Sequence, residues 1–67
     1  MREQEVAIGA FIATHPDGKV CVIDVLPIKV GYELETEHGQ PVTRIRRGQY
    51  RITGTNIKLT SDDPEAF

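Results

Sequence analysis

Turn signals recur along this chain at short intervals and leave room only for short elements between them. They fall at His15-Pro16-Asp17-Gly18, His38-Gly39-Gln40-Pro41, Gly48-Gln49 and Gly54-Thr55-Asn56. The intervening segments are rich in Val, Ile, Thr and Tyr, which suit a pleated, half-buried surface. Short strands punctuated this way predict an all-β fold of five or six antiparallel strands. The expected form is a small SH3-like or OB-like barrel, or a compact two-sheet sandwich. At 67 residues the chain reads as one small β domain over 1–67, with no separate module.

A domain of this length buries only about 60% of its unfolded surface and needs efficient packing or outside support. Cys21 is the single cysteine, so an internal disulfide is excluded. The other soft metal ligands, His15 and His38, do not stand at a metal-ligand spacing with it or with each other. No metal and no cofactor is expected. No stretch approaches the ~20 apolar residues of a membrane helix. Glu3 and Glu5 precede the apolar run Val6–Ala13 where a signal peptide carries positive charge. A cytoplasmic protein without membrane contact is the expectation.

Val6–Thr14 and Lys19–Leu26 are joined by a turn in which Pro16 presets φ and Gly18 supplies a positive φ. Both segments are apolar on both faces, a pattern that fits strands covered on both sides, with helix as the competitor for Val6–Ala13. If one face of that run stays uncovered, the patch calls for a partner. Pro27 ends or bulges the second strand.

The C-terminal half alternates. Pairing Val30–Glu37 with Val42–Arg47 across loop 38–41 sets Leu34 opposite Ile45, Thr36 opposite Thr43, Glu35 opposite Arg44 and Glu33 opposite Arg46. A Gly48-Gln49 turn then sets Ile45 against Ile52 and Arg46 against Arg51. A Gly54-Thr55 turn sets Ile52 against Ile57, Tyr50 against Leu59 and Arg51 against Lys58. The expected interior is Leu34, Ile45, Tyr50, Ile52, Ile57 and Leu59, with both tyrosines inward. Ser61-Asp62-Asp63-Pro64-Glu65-Ala66-Phe67 predicts a C-terminal helical turn capped by Ser61 or Asp63. Phe67 either docks on the core or lies free.

Charge is unevenly placed. Residues 1–40 hold three basic and seven acidic side chains, whereas residues 41–60 hold five basic and no acidic ones. Arg44, Arg46, Arg51 and Lys58 form the candidate anion or partner face. Guanidinium groups suit phosphate and carboxylate alike. The competing reading is a solvated face whose arginines pair with Glu33 and Glu35, each pair contributing ~0–1 kcal/mol. Catalytic groups are sparse. Ser61 reads as a cap, Cys21 as a core residue without a basic neighbour, His15 and His38 as exposed turn residues. Asp24 reads as a carboxylate facing water or accepting hydrogen bonds, and Glu33, Glu35 and Glu37 make a poor cation cage. The formal net charge of −2 removes any global pull toward nucleic acid.

The function expected is therefore a non-enzymatic binding module, in contact with a protein partner or itself as a possible homodimer. The alternative is nucleic-acid binding through the basic face, although single-strand binders usually present aromatics there. A small hydrolase or metal-dependent enzyme is a distant third.

Overall fold

The computed structural model describes residues 8–67. Six antiparallel strands, β1 (Gly9–Thr14), β2 (Val20–Pro27), β3 (Tyr32–Thr36), β4 (Pro41–Arg46), β5 (Gln49–Ile52) and β6 (Lys58–Thr60), close into a barrel in sequence order. The all-β barrel and its six strands match the sequence expectation. Val6 and Ala7, included there in the first strand, lie outside the described residues. No helix among the described residues is long and apolar enough to cross a membrane.

The interior follows the alternation of the strands. Phe11 and Ala13 from β1, and Cys21, Ile23 and Val25 from β2, are buried together with Leu34, Val42, Tyr50, Ile52 and Leu59. The outer face of the first hairpin is covered only in part: Leu26, on that side of β2, is buried, whereas the outward Ile12 and Val20 are 46% and 64% exposed. A single six-strand layer curled on itself has one interior, so much of the second apolar face is left outside.

The meander departs from expectation at β4. Leu34 lies opposite Val42 and Glu35 opposite Pro41, a register three residues from the expected one. An odd shift exchanges the two faces of a strand, so Val42 is buried and Ile45 is 47% exposed. The cause is a tighter turn. Thr36 N–H donates to the Gln40 carbonyl, and Gly39 N–H to the Thr36 carbonyl, both at 2.8 Å. The Thr36 hydroxyl accepts from the backbone N–H groups of His38 and Gln40. Pro41 therefore already belongs to the strand.

The β4–β5 register shifts accordingly: Val42 opposes Ile52, Thr43 opposes Arg51, Arg44 opposes Tyr50 and Arg46 opposes Gln49, with a bulge between Arg44 and Arg46. Gly48, at φ +91°, is the second turn residue rather than the first. The β5–β6 register holds as expected, with Tyr50 opposite Leu59 and Arg51 opposite Lys58. Ile57 instead sits in the connection before β6 and is 41% exposed.

The tail is not a helical turn. Its backbone makes one turn, in which Ala66 N–H donates to the Asp63 carbonyl at 2.9 Å. Too few residues follow Pro64 for a second helical bond, and other contacts bind them. Arg47 Nε donates to the Ala66 carbonyl at 3.0 Å, and an Arg47 terminal nitrogen donates to the Pro64 carbonyl at 2.9 Å. The Tyr50 hydroxyl donates to the main-chain oxygen of Phe67. Phe67 docks: its ring stacks on Phe11 at 6.4 Å and meets Tyr32 edge-on at 5.0 Å. Phe11 in turn packs on Tyr50 at 5.2 Å. Tyr32 thus sits at the barrel rim, 37% exposed, rather than fully inside.

Candidate functional site: the outer face of β4–β6

The pleat sends alternate residues of β5 outward, so Gln49 and Arg51 face solvent while Tyr50 and Ile52 fill the core. Arg51 is flanked across the sheet by Thr43 on one side and Lys58 on the other. In the next row Arg46 lies beside Gln49, Gln49 beside Thr60, and Thr60 beside Thr14 of β1. Arg46, Arg51 and Lys58 are exposed and share one outward face. The bulge at Ile45 restores Arg46 to that side.

Arg44 is the exception among the four candidates. Its register position is shared with Tyr50 and Leu59, on the other face of the strand, although its side chain is exposed next to the bulge. The expected compensation by Glu33 and Glu35 is also displaced, since Glu35 stands opposite Asp24 and Pro41, and Glu33 opposite Leu26. Among the described residues, none of Arg44, Arg46, Arg51 and Lys58 has an acidic cross-strand neighbour. Like charges directly opposite are destabilising, so the Arg51–Lys58 pair is retained at a small cost to the fold.

Beside this face lies a shallow depression of about 300 Å³, bordered by Ile45, Gln49, Tyr50, Lys58, Leu59 and Thr60. It joins the cations to an exposed isoleucine. The aromatics are elsewhere: the chain has two Tyr, two Phe and no Trp, and all four rings form the Tyr50–Phe11–Phe67–Tyr32 stack at the barrel end.

The remaining candidates have structural occupations. The Ser61 hydroxyl donates to the Ile12 carbonyl and accepts from Asp63 N–H. Cys21 is buried; burial, and then the negative charge of Glu37, push its thiol above the ordinary range. Glu37 itself accepts from Val22 N–H at 2.7 Å. Asp24 is half-buried on the outer face. His15 is half-buried in its turn and His38 exposed. Among the described residues no group of three or more His, Cys, Asp and Glu is placed to hold a metal ion.

Arg47 escaped the sequence reading and holds the tail. Asp63, read there as a cap, accepts from Glu65 N–H at 2.8 Å as a cap does, and also from Ile12 N–H at 2.9 Å. Those two bonds, the Ile12 bond first, hold the Asp63 carboxyl below the usual carboxylate range. The Asp-Pro that follows Asp62 was a signal for a turn with a side-chain acceptor; its long-range donor had none. Comparison with family models, with curated proteins and with solved structures finds no match for this chain.

Proposed function

We propose that this chain is a non-enzymatic protein-contact module whose working surface is the outer face of β4–β6, presenting Arg46, Arg51 and Lys58 to an acidic protein surface. The observation that carries this reading is the Arg51–Lys58 pair: two cations side by side, outward, with no acid among the described residues across the sheet from either. Thr43, Gln49 and Thr60 supply neutral hydrogen-bonding groups around them, and Ile45 an apolar edge.

Protein is favoured over nucleic acid by the position of the rings. A single-strand binder gains about 1–3 kcal/mol per base from stacking on exposed aromatics, and here all four rings are committed to the barrel end. A few exposed ion contacts at ~0–1 kcal/mol each imply a weak, transient complex, with Kd of about 1 mM or above.

The test is binding of a poly-glutamate peptide, a single-stranded oligonucleotide and a duplex oligonucleotide of matched charge, by titration calorimetry or NMR. Peptide binding that weakens at least several-fold in Arg51→Gln/Lys58→Gln supports the proposal. Preference for either oligonucleotide, or peptide binding indifferent to that variant, overturns it.

A further inference from the structure

Two like-charge pairs stand on opposed walls of this barrel. Across β2–β3, Asp24 lies opposite Glu35. Across β5–β6, Arg51 lies opposite Lys58. Because the six strands close in sequence order, β2–β3 and β5–β6 are half a circuit apart and face away from each other. Both pairs point outward, since their strand neighbours Ile23, Val25, Leu34, Tyr50, Ile52 and Leu59 fill the core. Glu33 extends the acidic wall along the outer side of β3, as Arg46 extends the basic one.

Each pair is unfavourable in an isolated molecule, and each has the cross-strand spacing of about 5 Å. The two pairs therefore match two by two. We infer that the acidic surface recognised by this face is a second copy of the same chain. This rests on the reading of β4–β6 as a protein-contact surface. Asp24 and Glu35 of one copy sit on Arg51 and Lys58 of the next, and both repulsions are relieved in one contact. An isologous pairing through either wall would set like charge on like charge and is disfavoured. The contact is head to tail, and opposed walls leave one acidic and one basic wall free at the two ends of every assembly. Such an interface grows into an open chain rather than closing as a dimer.

Sedimentation of the full chain over a range of concentrations tests this, with the Debye length set to roughly 30 Å at about 0.01 M salt and about 3 Å at about 1 M. At low salt the mean mass is expected to rise with concentration, and at high salt to return to the monomer. Asp24→Asn/Glu35→Gln and Arg51→Gln/Lys58→Gln each remove one wall, and each alone is expected to stay monomeric. Both variants remove a repulsive pair and are expected to fold, which circular dichroism checks. Mixed, they have one intact contact between them and are expected to form a 1:1 pair and nothing larger. A wild-type chain that is monomeric at low salt overturns the inference. So does either variant that associates as the wild type does, or a mixture that stays monomeric. A monomeric wild type that still binds poly-glutamate overturns the head-to-tail contact alone; failure to bind the peptide overturns the acidic-partner reading as well.

Discussion

The wall between β1 and β2 and the seam between β6 and β1 close one barrel by different means. The wall pairs six residues of β1 with β2, from Gly9 opposite Val25 to Thr14 opposite Val20. The seam pairs only Thr14 with Thr60. Past that point side chains stand in for the missing strand: Ile12 N–H donates to the Asp63 carboxylate and the Ile12 carbonyl accepts from the Ser61 hydroxyl. A main-chain ladder is nearly indifferent to side-chain identity, whereas a seam of carboxylate, hydroxyl and guanidinium is specific to the residues that make it. The wall belongs to the fold; the seam belongs to this sequence.

The severest way to break the seam is at Tyr50, whose ring is fully buried and whose hydroxyl accepts from Gly48 N–H at 3.0 Å while donating to Phe67. Tyr50→Ala is expected to cost about 3–5 kcal/mol, much of the total stability of a domain this small, read by urea unfolding. Tyr50→Phe keeps the ring and leaves Gly48 N–H without that acceptor, for about 1–2 kcal/mol. Hydrogen exchange should place this second loss in the tail and β6, with the β1–β2 amides unchanged. Equal loss along both would mean that wall and seam open together.

Gly48→Ala comes next. Gly48 has φ +91°, and an added Cβ would lie 3.0 Å from the Ser61 carbonyl, which itself follows the Ser61 N–H bond to the Gly48 carbonyl at 3.0 Å. Positive φ and backbone crowding together are expected to cost about 1–3 kcal/mol, measured as a lower melting temperature. A neutral result would show that the turn can move away from the tail.

Gly48 also shows how far the sequence could be read. The all-β class and the antiparallel strands followed from turn spacing and β-branched content, which left five or six strands and a barrel or a sandwich open, and the β5–β6 register followed from Tyr50, Ile52 and Leu59 alternating on one side. The β4 register did not. Val42 and Ile45 are both apolar and stand on opposite faces, so alternation accepts either, and Gly48 fits a two-residue turn as its first or its second member. What decides between them is remote: the Thr36 hydroxyl gathering the preceding turn, and Tyr50 reaching Gly48 and Phe67. Of the candidate site, Arg46, Arg51 and Lys58 share a face as read. Arg44 does not, because the three-residue register shift exchanges the faces of β4, and Arg46 does only through a bulge that a pattern of period two cannot show. The Arg47 clamp was invisible for the same reason as Phe67 docking, since both depend on where the tail lies in three dimensions.

Asp63 sharpens the comparison through pH. Its folded-state pKa is lowered, first by Ile12 N–H and then by Glu65 N–H, so its contribution is present above the unfolded aspartate value of about 3.9 and is lost as pH falls through the folded one. Exchange of the Ile12 amide should quicken in that range relative to the β1–β2 ladder amides, after correction for intrinsic rates. Asp63→Asn should produce the same local loosening at neutral pH. If acid releases wall and seam amides alike, Asp63 is not what separates them.

The smallest effect concerns the charged walls and carries a change of sign. In dilute solution, Lys58→Gln removes the repulsion with Arg51 and is expected to raise the stability of the monomer by roughly 0.2–0.5 kcal/mol. Asp24→Asn should do the same against Glu35 on the opposite wall. Both gains should shrink toward zero at about 1 M salt, where the Debye length is about 3 Å. As concentration increases at low salt, the wild type gains stability from association by mass action, while each variant has one wall weakened. The order of thermal stability should then reverse, with the wild type above both variants. A fixed order at every concentration would mean that the two repulsive pairs are a cost of the fold with nothing set against it.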